Sequence, residues 1–147
     1  MAGKSNKFEY DFLRLIFNGV AITNICSTAG STSLWLALLT ADPGDGGSTA
    51  NEGGYTAYTR VKTDRSSAAS TGWAVTSGDP ATVTPVTNVD LPQVATTSTG
   101  TFTHFGVYPS SNAEASSGLY FGTLSPNINF SQNVTPRITT GSSITED

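Results

Sequence analysis

The sequence predicts a mainly β protein, a single antiparallel β-sandwich or jelly-roll domain over residues 1–147 with one N-terminal amphipathic helix. Three observations lead there. Only 12% of the 147 residues are charged, about half of the roughly 25% usual in soluble domains. Ser and Thr fill the gap at roughly a quarter of the chain, beside Val, Tyr and Phe, which suit pleated strands. Finally, short apolar runs alternate with Gly, Pro, Ser and Asn clusters at intervals of roughly 10 to 15 residues, the rhythm of an all-β domain. A net charge of −4 with 10% aromatic residues does not match disorder, which pairs low hydrophobicity with high net charge.

The helix is expected over 5–18. Phe8, Phe12, Leu15 and Ile16 fall at helical spacing. Ser5 suits an N-cap, Glu9 and Asp11 lie toward the start, and Asn18-Gly19 suits a stop. Leu13 and Phe17 lie off this stripe, so the helix is apolar over more than half its girth. It either covers one end of a β-core or is an arm whose second apolar face docks on a neighbour.

The β-sandwich is expected over 33–147. Residues 33–40 read as a strand buried on both faces, closed by the turn formers of 41–47. Further strands are expected over 55–62, 72–76, 81–94 (divided around 88–92), 100–108, 119–124, 128–130 and 136–140. Loops are expected at 66–71 and 109–117.

Composition excludes several classes. No apolar run approaches the ~18 residues a bilayer span requires, so no membrane partner is expected. The first eleven residues mix Lys4, Lys7, Glu9 and Asp11, so no secretory signal is expected there. One Cys, Cys26, permits no internal disulfide and fits synthesis in a reducing host cytoplasm. One Cys and one His exclude an imidazole–thiolate zinc site within the chain.

The motifs that carry chemistry are weak. The only imidazole, His104, has no G-x-S-x-G elbow to serve and reads as a hydrogen-bonded structural residue. The segment from Asp42 to Gly47 with Glu52 lacks the alternating acids of a calcium loop, and no phosphate-binding glycine motif exists. Loop carboxylates (Asp42, Asp45, Glu52, Asp79, Asp90, Glu114) cannot be paired from sequence into a glycosidase site. No catalytic residue, metal or cofactor is therefore expected, and the chain reads as a non-enzyme.

The basic residues are confined. Lys4, Lys7 and Arg14 lie near the start, Arg60, Lys62 and Arg65 cluster, and Arg137 stands apart. On a strand over 55–62, Tyr58, Arg60 and Lys62 would share a face. Together with Phe8 on the helix, these residues (Lys4, Lys7, Phe8, Arg14, Tyr58, Arg60, Lys62) are the candidate partner interface. Negative net charge and the lack of a basic stripe speak against nucleic acid.

The stretch from Leu34 to Gly47 (L-W-L-A-L-L-T-A-D-P-G-D-G-G), then Asn51-Glu52, Gly54-Tyr55-Thr-Ala-Tyr58-Thr-Arg60-Val61, Thr103-His104-Phe105-Gly106-Val107 and Leu119-Tyr120-Phe121-Gly122, resembles a family of small tailed-phage structural proteins. Members often carry the label tail fibre, and better understood relatives are capsid cement proteins of short-tailed phages, similar to the jelly-roll cement of the Bordetella phage shell. The resemblance implies a virion protein on the capsid exterior that bridges major capsid protein subunits, as a homo-oligomer with a two-fold dimer favoured. It brings no catalytic or ligand residues. The alternative is a tail-fibre or adhesin module binding host glycan or protein, with Trp35, Trp73, Tyr55 and Tyr58 as stacking faces for sugars.

Overall fold

The computed structural model describes residues 6–21, 33–44, 48–66, 68–108, 111 and 120–146. It holds a helix, α1 (Asn6–Asn18), and nine strands. These are β1 (Ser33–Leu39), β2 (Val61–Asp64), β3 (Trp73–Thr76), β4 (Ala81–Pro85), β5 (Val89–Asp90), β6 (Gly100–Tyr108), β7 (Tyr120–Phe130), β8 (Arg137–Ile138) and β9 (Ile144–Glu146). Mainly β, in antiparallel sheets with one N-terminal helix, is the class the sequence predicts. No helix among the described residues is long and apolar enough to cross a membrane.

The chain forms two compact units. The first comprises Met1–Ser33, Thr63–Asn88 and Thr139–Asp147, and the second Leu34–Lys62 and Val89–Ile138.

In the first unit β3, β4 and β9 form an antiparallel sheet in that order, and α1 packs on β3 and β4. Leu13 and Phe17, one turn apart, are fully buried. Phe17 meets the ring of Trp73 edge-on at 5.0 Å, and the Trp73 indole N–H donates to Thr63 Oγ1 at 3.0 Å inside the core. The helix stops at Gly19, whose φ of 67° lies where glycine is at ease, and Val20 N–H returns to the Arg14 carbonyl. The last turn has no basic residue of its own. Arg65 supplies the charge instead, donating to the Leu15 and Ile16 carbonyls, where the helix dipole favours a cation.

In the second unit β1, β6 and β7 are successive neighbours, with β2 beyond β1 in the sheet order. The β1 register runs from Trp35↔Tyr108 to Leu39↔His104. Strand β7 pairs with β6 over its whole length except where residues between Thr123 and Ile128 bulge out opposite the span from His104 to Phe102. A small β5–β8 ladder sets Asp90 opposite Arg137, joined by a two-point ion pair at 2.5 and 2.8 Å.

Four expectations are corrected. The buried helix face is Leu13 and Phe17, whereas Phe12, Leu15 and Ile16 are half-buried; a helix apolar around most of its girth offers two stripes, and the sheet selects one. Residues 55–60 are a turn, Tyr58 N–H to Tyr55 O at 3.0 Å, and the strand begins at Val61. The runs expected at 119–124 and 128–130 are, from Tyr120 on, parts of one strand, β7, and residue 119 lies outside the described residues. Residues 144–146, outside the expected strands, form β9, paired to β4. The loop expected at 109–117 lies, apart from residue 111, outside the described residues.

Replacing Phe17 by Ala is expected to cost about 3–5 kcal/mol and Leu13 by Ala about 2–5 kcal/mol. The half-buried Leu15 should cost clearly less when changed to Ala. Urea unfolding followed by circular dichroism ranks the three, and a larger loss at Leu15 than at Phe17 would reverse the assignment of the buried face.

Candidate functional site

The second unit is organised by the segment from 40 to 60, which leaves β1 and folds back along it. Asp42 Oδ1 accepts the Gly44 N–H at 2.8 Å, a turn closed by Gly44 at φ 66°. Thr40 N–H donates to Asn51 O at 2.9 Å, and Gly53 N–H to Leu38 O at 3.1 Å, so residues 51–53 run antiparallel beside the end of β1.

Gly53 and Gly54 then turn the chain with φ of 80° and 152°. Each lies beneath an aromatic ring: a Cβ at Gly53 would come within 2.8 Å of Tyr58, and one at Gly54 within 2.8 Å of Phe130. Tyr55, Tyr58, Phe102 and Phe130 stack as one cluster, with centroids 4.7 to 6.4 Å apart. The hydroxyls are committed. Tyr55 donates to Pro92 O at 2.6 Å, and Tyr58 accepts from Leu38 N–H at 2.9 Å.

Arg60 ends the segment. Its guanidinium donates to both oxygens of Glu52, each at 2.8 Å, with the two side chains only 1% and 5% exposed. The guanidinium carbon sits 3.6 Å above the centre of the Tyr108 ring. Bidentate pairing and ring stacking are geometries that arginine offers and lysine does not. Burial, and then the Glu52 carboxylate, push the Tyr58 and Tyr108 hydroxyls above their ordinary value of 10.0.

The candidate interface residues separate accordingly. Lys4 lies outside the described residues, as do the side chains of Lys7 and Phe8, whose backbones belong to α1. Arg14 is half-buried, 5.3 Å from the centre of the Tyr10 ring. Tyr58 and Arg60 point inward, and Lys62 is exposed on β2. The shared face of Tyr58, Arg60 and Lys62 is therefore not formed. Period-2 alternation does not apply to a turn, and two positive-φ glycines make residues 55–60 a turn.

The sugar-stacking aromatics fare similarly. Trp73 is 2% and Tyr55 8% exposed, Tyr58 is held in the cluster above, and Trp35 is half-buried. Glu52, Asp64 and Asp90 are bonded to Arg60, Thr71 and Arg137. Asp45 and Glu114 lie outside the described residues. Among the described residues no three of His, Cys, Asp and Glu gather as a metal site would. His104 is hydrogen-bonded, as expected, with Nδ1 2.9 Å from Thr103 Oγ1.

Sequence reading missed a cavity of about 310 Å³ lined by Asp42, Gly44, His104, Phe121, Gly122 and Thr123. Only the register shows it, because His104 faces Thr123 across the β6–β7 pair.

Changing Glu52 to Gln, or Arg60 to Met, should each destabilise the protein by about 3–5 kcal/mol by stranding a buried charge, while Glu52→Leu with Arg60→Met should recover much of that loss. Equal losses in single and double variants, read by urea unfolding, would deny the coupling. Alkali provides a second test. An unfolded tyrosine loses its proton near 10.0, while Tyr58 and Tyr108 hold theirs when folded. Their contribution is complete below that pH and is lost above it, by up to about 1.4 kcal/mol per pH unit for each. Tyr58→Phe should flatten the fall in unfolding midpoint between about pH 10 and about pH 12.

No curated protein matches the chain. A family model described as podophage GP4 fiber I protein gp80 matches residues 3–145. Virtually the whole sequence is covered, both compact units included, and the chain belongs to this family of phage structural proteins.

Proposed function

We propose that the protein is a non-enzymatic virion component that works by adhesive area. Its place in this reading is the capsid exterior, as a cement that bridges major capsid protein subunits, with a two-fold homodimer as its unit. The observation that carries the reading is the use of its cations. Each of the four arginines is committed within the chain: Arg14 to the Tyr10 ring, Arg60 to Glu52, Arg65 to the helix carbonyls and Arg137 to Asp90. Such a chain meets a partner mainly with hydroxyls, backbone groups and apolar area, at little cost in ion desolvation. Interfaces of about 1,200–2,000 Å², repeated by symmetry, oppose separation of shell subunits without bond chemistry. The half-buried face of α1 and Lys62 are the contact regions this reading favours.

A second reading is supported by the family's description, which names a fibre: the chain would then be part of a tail or fibre assembly that touches the host. Immunogold labelling of intact virions separates the two, with label expected over heads; label confined to tails would replace cement by fibre. Purified protein should also bind undecorated heads saturably. That affinity should fall less than about tenfold between about 0.05 and about 0.5 M salt, since few exposed charges take part. A steeper fall would point to an ionic interface and overturn the charge-poor mode of attachment.

A further inference from the structure

We propose that the cavity between the 42–44 turn and the β6–β7 pair is a binding site for a neutral saccharide. All of its lining residues belong to the second unit. The argument begins with one proton. Thr103 Oγ1 donates to the Thr40 carbonyl at 3.0 Å, so toward His104 Nδ1, 2.9 Å away, the same hydroxyl accepts. The neutral imidazole therefore carries its hydrogen on Nδ1 and presents Nε2 as an acceptor. His104 and Thr123 both line the cavity, with Nε2 a long 3.5 Å from Thr123 Oγ1, and a closer donor would displace that contact.

Asp42 adds a second acceptor. Its Oδ1 is fixed by the Gly44 N–H, which orients the carboxylate. Two acceptors on one cavity, with no lysine or arginine among the described residues that line it, select a ligand rich in donors. Phosphates and carboxylates bring negative charge that meets the charge of Asp42. A purely apolar ligand would offer the carboxylate and Nε2 no donor while displacing the water around them, at a cost.

The remaining wall completes the match. Phe121 is half-buried, held edge-on to Tyr108 at 5.7 Å, and that ring is in turn under the Arg60 guanidinium. A sugar ring has C–H bonds for an aromatic surface and hydroxyls for acceptors. Gly122 is required at its place on this wall, because the Phe105 ring occupies the position where a Cβ would stand. The volume, about 310 Å³, is at the small end of ligand sites, about 300–1,000 Å³, and suits one or two sugar units. The assignment holds whether the chain sits on the head or the tail.

The test is amide NMR of the full ¹⁵N-labelled chain, titrated with methyl glycosides of glucose, galactose, mannose and rhamnose and, separately, with inorganic phosphate. At least one glycoside should shift the Gly44, His104, Gly122 and Thr123 amides saturably, and phosphate should not. Thr123→Val, at an exposed position, and Asp42→Ala should each weaken that binding about tenfold or more while the rest of the spectrum stays in place. The proposal is overturned if none of the four sugars moves these signals. It is likewise overturned if phosphate moves them, or if the sugar response survives both substitutions.

Discussion

The buried Glu52–Arg60 pair is the constraint on which the second unit depends. The 21 residues between β1 and β2 carry no regular strand among those described, and a loop of that length is stable only when tied down. Ordering it costs about 1–2 kcal/mol of backbone entropy per residue, more than any single hydrogen bond returns. The ties come in sequence: backbone bonds at Thr40 and Gly53, the Tyr58 hydroxyl on Leu38, and the ion pair that closes Arg60 onto Glu52. An ion pair taken out of water contributes little net stability against an apolar replacement. Its effect is on geometry, since a bidentate fork over the Tyr108 ring has one satisfactory position and a sliding apolar contact has several.

That constraint explains which parts of the fold were legible. Strand β6 could be read at its full length from alternation and flanking turns, and β1 from its apolar run, because local pattern and burial agree there. Residues 55–60 misled because Tyr-x-x-Tyr-x-Arg has the composition of a strand. The deciding information lies upstream, in Gly53 and Gly54, whose positive φ values turn the chain so that the rings of Tyr58 and Phe130 fill the space a Cβ would take. Helix α1 was placed to within one residue at its start, yet its buried face was misassigned, since Phe17 is selected by Trp73 and not by its own period. Strand β9 was invisible for a related reason. It is only three residues long with Ile144 as its one apolar residue, and pairing with β4, not burial pattern, makes it a strand.

The candidate site was legible in chemistry and not in location. Few charges and a hydrogen-bonded His104 both follow from residue types. Which residues face outward depends on register and turns, and there Arg60 changed sides. Its neighbour Lys62 stayed exposed, two positions further on and past the end of the turn. Phe121 and Thr123 acquire meaning only once His104 is known to pair with Thr123 across the sheet.

The residues through which the sequence resembles phage structural proteins now have physical duties. Glu52 and Arg60 form the internal pair, Gly54 makes room for Phe130, and Tyr55 and Tyr58 lock onto Pro92 and Leu38. Each is engaged inside its own unit, so each would be required by any protein that folds this loop on this sheet, whatever the partner outside. A resemblance carried by such residues identifies a scaffold. Specificity for a partner then rests on groups outside the ion pair, such as the exposed Lys62 and Thr123. Substitutions there change contacts without touching the ion pair, and in this protein attachment and stability can therefore be altered separately.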